Sequence, residues 1–217
     1  RGGVTSYIHV VRAEPGARYT VQRTMGEDGT AADFVDQKAA TWDDDPAKVE
    51  RAADVARRLA AAVPLDPSMR VLEYGAGTGL VTQALRPSVG PVTLADASPG
   101  MREVIHDKIA AGALPDARVW DLDLATDPPP DERFDLVVTV MVLHHIPDLT
   151  PVLDGFHRLL DDGGHLCVVD LEHEDGSFHG EGFAGHHGFR RPDLAAQLED
   201  RGFTDVAFVD CDPMTKD

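Results

Sequence analysis

Three glycines at 75, 77 and 79, an aspartate at 96, a pair at 121 and 123, and adjacent histidines at 144 and 145 are the residues of this chain whose types and spacing suit chemistry. Gly75, Gly77 and Gly79 stand in VLEYGAGTGL, behind an apolar run that ends in the acid Glu73. Residues without side chains at alternate positions permit a tight turn and let a ligand touch the main chain. The spacing is G-x-G-x-G rather than the G-x-G-x-x-G of dinucleotide loops, and no G-K-[ST] follows, which disfavours NAD and a P-loop phosphate. At the end of the next apolar run, VTLADAS places Asp96 where a carboxylate can accept two hydrogen bonds from a ribose diol. Asp121 and Asp123, in VWDLDLA, end the run after that and could take an adenine amino group.

His144 and His145 close RFDLVVTVMVLHHI. An imidazole, with an unperturbed pKa of about 6.5, suits a general base for a hydroxyl acceptor. The same pair also reads as structural, one ring hydrogen-bonded beneath a ligand and the other turned to the next helix. A second group lies in DLEHEDGSFHGEGFAGHHGF, where His173, His179, His186 and His187 stand among Glu172, Glu174, Asp175 and Glu181. No pair of these sits at i, i+4 on a recognisable helix, so no metal is expected. The stretch reads instead as a loop covering a substrate, with His173, His186 and His187 as the histidines that touch it.

Elements that would position these residues follow from periodicity. Apolar runs at 69–74, 91–96, 117–122, 134–140, 164–170 and 203–210 alternate with helical stretches near 79–86, 99–111, 149–161 and 191–201. That rhythm implies βαβ units: an α/β, Rossmann-like, doubly wound and mainly parallel sheet with helices on both faces, in a single domain. A further helix is expected from Pro46 to Val63, with Pro early and acids before it. Residues 5–12 and 17–23, rich in Val, Ile, Tyr and Thr around EPGA, read as a β-hairpin, and GEDGTAAD as a linker.

A chain of 217 residues supplies one sizeable core. Its formal charge of -18 repels nucleic-acid phosphates and anionic membrane surfaces, so neither is an expected partner. Two distant cysteines without metal-ligand spacing fit a reducing cytoplasm. No apolar run approaches the roughly 20 residues that span a bilayer, and the first residues do not read as a secretory signal.

Taken in order, VLEYGAGTG, LADASPGM, DLDLA, FDLVVTVMVLHHIPD and LLDDGGHLCVVD resemble the successive motifs of class I S-adenosylmethionine-dependent methyltransferases. Upstream, FVDQKAATWDDDP is similar to the leading segment of the small-molecule branch of that family. The resemblance covers roughly residues 33 to 210. It implies that Glu73, Gly75, Ala76, Gly77 and Gly79 line the methionine end of S-adenosylmethionine, that Asp96 holds the ribose hydroxyls, and that Ala97 with Met101 or Ser98 lies near the adenosine. It further implies that Asp123 with the amide of Leu124 reads the adenine edge, with Asp121 the alternative, and that the main chain at Thr139 and Val140 touches the amino-acid moiety. Phe34, Lys38 and Trp42 fall where the family closes over the donor and keeps water from the sulfonium.

The implied activity is methyl transfer to a small-molecule O, N, S or C nucleophile, with S-adenosylhomocysteine as product, in a monomer or homodimer. A nucleotide-dependent oxidoreductase and a catalytically silent cofactor-binding subunit are the alternatives. A DNA base methylase is disfavoured, because MVLHHIPD stands where an Asn- or Asp-Pro-Pro-aromatic motif belongs. The family's sheet closes with an antiparallel strand, and the chain stops at FVDCDPMTKD, where the hairpin leading to it would begin. The N-terminal region 1–30 is therefore expected to supply that strand to the 31–217 domain, by permutation or by a swap between subunits, since an uncovered edge leaves backbone groups unpaired.

Overall fold

The computed structural model describes residues 4–14, 36, 38–179 and 182–211. Within them the chain forms β1 (Ser6–Ala13), α1 (Pro46–Ala62), β2 (Val71–Tyr74), α2 (Leu80–Leu85), β3 (Val92–Ala95), α3 (Pro99–Ala110), β4 (Arg118–Trp120), β5 (Phe134–Val140), α4 (Thr150–Leu159), β6 (Leu160–Leu171), α5 (Arg191–Glu199) and β7 (Phe203–Asp210). Two 3-10 turns, Ala39–Asp44 and Leu143–His145, lie near the functional residues.

Local sequence explains the helices. Asp45 caps α1 by accepting the Ala47 amide at 3.0 Å, Pro46 occupies the first position, and Ala52, Val55, Ala56 and Leu59 make one buried stripe at helical spacing. Ser98 caps α3 in the same way, accepting the Met101 amide at 3.1 Å, and the helix buries Met101 and Ile105.

The seven strands form one sheet in the order β4-β3-β2-β5-β6-β1-β7. Strands β2 to β6 run parallel, and β2 has β3 on one side and β5 on the other. The strand order reverses there, and that is where open α/β sheets hold ligands, outside the carboxyl ends of the strands. Strand β1 is antiparallel to both neighbours: Tyr7 stands opposite Asp170 of β6 and Asp210 of β7. Both of its edges are thereby paired. The second half of the expected N-terminal hairpin, the linker and the division near residue 30 lie outside the described residues.

The sheet is covered on both faces. One apolar layer joins Leu72, Tyr74 and Val137 to Val152, Leu153 and Phe156 of α4 and to Leu194 and Leu198 of α5. The other joins Val71, Leu94 and Val138 to α1, α2 and Ile105 of α3. Two boundaries differ from the expectation. The helix expected to reach 161 stops at Leu159, because Leu160 pairs with Phe134 and already begins β6, whose register on β5 shifts across the left-handed Gly163 (φ +77°). The run 117–122 yields a ladder only over Arg118–Trp120, since Leu122 and Leu124 turn into the core instead.

Candidate active site

The glycine turn is fixed to the neighbouring strand: the amides of Gly75 and Ala76 donate to the Ala95 carbonyl at 2.8 and 3.0 Å. All three glycines have left-handed backbones, with φ of +67°, +55° and +79° at 75, 77 and 79. Their surroundings differ. A Cβ on Gly75 would lie 2.3 Å from Val142 Cγ2, and one on Gly79 would lie 2.7 Å from Leu94 Cδ2, whereas one on Gly77 meets nothing within 4 Å. Gly75 and Gly79 are thus demanded by packing. Only Gly77 turns its bare main chain to open space, which narrows the reading that a ligand explains all three.

Asp96 follows β3 and is partly buried. Its Oδ2 accepts the Gly77 amide at 2.7 Å and its Oδ1 the Ser98 amide at 2.9 Å, while burial pushes its carboxyl pKa up against those two bonds. Asp96 therefore sets the Gly77 peptide in place and sits beside it. Glu73 is buried under the turn, where its Oε2 accepts the Thr82 amide at 3.0 Å and the Thr82 hydroxyl. Burial raises its pKa to about 7. Those bonds tie β2 to α2, so Glu73 supports the turn from below. The carbonyl of exposed Ala97 accepts from Arg102 at 2.8 Å, and Met101 is buried in the first turn of α3.

The two acids after β4 diverge. Asp121 is exposed and forms a two-pronged ion pair with Arg102, at 2.9 and 3.0 Å. Asp123 accepts the Tyr74 hydroxyl at 3.3 Å and the Ala125 amide at 2.9 Å. The Leu124 amide donates to the Tyr74 oxygen at 3.1 Å. Tyr74 thus links the β2 tip to both residues expected at an adenine edge. At the tip of β5, Thr139 is buried with no hydrogen bond to its hydroxyl among the described residues, Val140 is partly exposed, and Met141 adopts a left-handed φ of +59°. That conformation is uncommon outside glycine and turns the chain out of the sheet toward His144.

The segment before α1 is docked onto this edge by two carboxylates. Asp36 accepts the Ser98 hydroxyl at 2.7 Å and the Gly100 amide at 2.6 Å, and these bonds lower its pKa. Asp43 accepts the Thr78 hydroxyl at 2.5 Å and pairs with Lys108 at 2.5 Å. Trp42 is partly buried with the Lys48 ammonium 3.8 Å from its ring centre, and Lys38 is exposed. Phe34 lies outside the described residues.

His144 is 1% exposed, and its Nδ1 lies 2.6 Å from Asp170 Oδ1. Asp170 is buried too and accepts the Leu143 amide at 2.9 Å and its neighbour Leu171 at 2.8 Å. His145 and His179 complete a group of rings, with centroids 4.1 Å (144–145), 4.9 Å (144–179) and 5.2 Å (145–179) apart. His145 exposes much of its surface, yet the crowding around its ring, together with His144 and His179, lowers its pKa. His186 donates its amide to the His144 carbonyl at 2.7 Å and holds the Ile146 carbonyl at 3.0 Å through Nε2. His187 pairs with Glu174 at 3.5 Å, and His173 is exposed, its amide on the Phe189 carbonyl. His179 is the member that sequence reasoning left out of the site. It stands 34 positions from His145, and no spacing rule signals a loop that folds back over a turn.

Comparison with known proteins agrees with this geometry. A family described as a methyltransferase domain matches residues 47–207. An uncharacterized methyltransferase of Schizosaccharomyces pombe is 34% identical over 137 residues, covering 56% of this chain and 48% of the relative. A biotin biosynthesis bifunctional protein of Bordetella avium is 37% identical over 123 residues, covering 55% of this chain and 25% of its own length. The chain thus spans about half the length of the first of these relatives and a quarter of the second. Among solved structures, a methyltransferase of Aquifex aeolicus superposes with a TM-score of 0.61 at 19% identity, over 80% of this chain and 89% of the other, which shows the shared fold. The chain belongs to the class I S-adenosylmethionine-dependent methyltransferase domain family. No helix among the described residues is long and apolar enough to cross a membrane.

Proposed function

We propose that this domain holds S-adenosylmethionine across the crevice between the β2 and β3 tips and transfers its methyl group to a small-molecule nucleophile. The observation that carries this reading is the side-chain-free face over Gly77, set by Asp96 at the point where strand order reverses. The residues present fit such a donor. Gly77 offers main chain for the amino-acid moiety, Asp96 keeps lone pairs for a ribose diol, and the buried Thr139 hydroxyl at the β5 tip has no described hydrogen bond. Asp123 suits the adenine amino group, because Asp121 is occupied outside by Arg102. Trp42, docked through its neighbour Asp43, closes the other side.

A sulfonium methyl is already activated, so the bound donor supplies the electrophile and the protein supplies alignment and a dry cavity. His144 and His145, at the exit of β5, are the acceptor-side groups. Asp170 holds the His144 ring so that Nε2 turns away from it. A charge of -18 favours a small acceptor over a nucleic acid.

Calorimetric titration with S-adenosylmethionine, S-adenosylhomocysteine and NADH tests the donor. Tight binding of both sulfur compounds is expected, with Asp96→Ala weakening it by about 1–3 kcal/mol through loss of charge-assisted hydrogen bonds. NADH binding with no response to either sulfur compound would overturn the assignment.

A further inference from the structure

We propose that His144, His145 and His179 form a binding site for a borderline divalent transition metal ion such as Zn2+ or Co2+, placed to hold an oxygen of the methyl acceptor. One ligand nitrogen from each imidazole can be chosen so that all three lie within 4.8 Å of one another. A metal–nitrogen bond is about 2.0–2.1 Å, so the rings close inward around an ion to bring these atoms to a common centre. The part of the proposal concerning the acceptor rests on the methyltransfer reading above; the metal site itself does not.

The surroundings are those of a built site. Asp170, itself buried, takes the Nδ1 side of His144 at 2.6 Å and is anchored by the Leu143 and Leu171 amides. A carboxylate on the far nitrogen fixes which atom faces the metal and raises the basicity of the ligand. The loop that delivers His179 is seated on the same turn. Gly185 comes so close that a Cβ there would lie 2.1 Å from the His144 carbonyl oxygen, and the His186 amide bonds that oxygen. The Phe183 ring stacks on His179 at 3.9 Å and 11°. Side chains 34 residues apart in sequence, His145 and His179, are thereby held edge to face with ring centres 5.2 Å apart.

Three imidazole ligands select zinc, cobalt, nickel or ferrous iron over magnesium or calcium, which prefer oxygen ligands. A three-nitrogen set leaves a fourth position open, as catalytic metal sites do. The turn Leu143–His145 follows β5, whose Thr139 and Val140 stand at the transfer edge, so the open position lies on the acceptor's side. The ligand expected there is a hydroxyl, phenol or other oxygen nucleophile.

The test uses tag-free protein stripped with chelator and titrated with Co2+, followed by its visible d–d absorption, with S-adenosylhomocysteine affinity measured on the same samples. One saturable equivalent per chain, displaced by Zn2+, is expected. His145→Ala and His179→Ala should each weaken it at least tenfold while leaving S-adenosylhomocysteine affinity within twofold, which also shows that both variants fold. Asp170→Asn should weaken it about 10- to 100-fold, the usual effect of removing such a partner. Absence of a saturable signal, or one that survives both histidine variants, overturns the metal site whatever the donor titration shows. A normal cobalt signal in protein that binds no S-adenosylhomocysteine overturns the acceptor role.

Discussion

Replacing Gly77 and Gly79 separately by alanine should split two quantities that the sequence pattern lumps together. Both positions have a left-handed backbone, which costs an alanine roughly 1–2 kcal/mol, offset in part by the smaller entropy of its unfolded chain. At Gly77 nothing else is added, because its Cβ meets no atom within 4 Å. The expected loss of stability is about 1 kcal/mol, or roughly 2–4 °C in Tm for a chain of this size. At Gly79 the new methyl would lie 2.7 Å from Leu94 Cδ2 and 3.2 Å from Leu114 Cδ1, both in side chains that are 0% exposed. Overpacking of that kind adds about 1–3 kcal/mol, for a total near 2–4 kcal/mol and roughly 5–15 °C. Binding should show the reverse order. The Gly77 methyl enters the space assigned to the donor and should weaken S-adenosylhomocysteine at least tenfold, about 1.4 kcal/mol. Gly79→Ala, assayed below its Tm, should bind within a few-fold of the parent. Thermal melts with and without ligand, together with calorimetry, give all four numbers. Unchanged affinity in Gly77→Ala, or a Gly79→Ala protein no less stable than Gly77→Ala, would refute the division of roles.

His9 is 0% exposed, neither of its ring nitrogens has a hydrogen bond among the described residues, and burial together with Arg191 lowers its pKa to about 4. The unfolded chain then binds the extra proton between its own pKa near 6.5 and the folded value, so stability is full above pH 6.5 and falls as pH drops toward 4, by about 3 kcal/mol at most. Denaturant melts of His9→Leu should have a visibly flatter pH dependence in that window, and parallel slopes would dismiss the contribution. Asp43→Ala removes the acceptor of the Thr78 hydroxyl and the partner of Lys108, so amides 39–44 should exchange with deuterium faster while α4 is unaffected; equal rates would count against the docking role of Asp43. Cys167 is 0% exposed and burial pushes its thiol up to about 12, so iodoacetamide should label it only in denaturant, and labelling of the native protein detected by mass spectrometry would contradict that burial.

Much of the sheet was legible in the sequence because its parallel strands are continuous apolar runs with helical stretches between them, a pattern that few other arrangements bury. The glycine turn and Asp96 were legible for a related reason: both sit at strand ends, which periodicity locates well. Asp121 and Asp123 could not be separated, since they differ by a single strand repeat and only the contacts with Arg102 and Tyr74 tell them apart. The reason for Gly79 was hidden as well, because a left-handed turn packed on Leu94 and one opened for a ligand are written with the same letter. His179 joined His144 and His145 through loop packing at Gly185 and Phe183, long-range contacts that no local pattern encodes.

The seat of β1 has a consequence for how the chain is made. Tyr7 meets Asp170 and Asp210, so a segment translated early has to wait for ones translated more than 160 residues later. Until then Ile8, Val10 and Val11 have no sheet to join, and a sticky ribbon waits while the elements between β1 and β6 are made. Sealing it closes a loop that encloses almost every other element, which makes this strand the late and slow stitch of folding. A nascent chain released before β7 emerges would keep that ribbon open on one side.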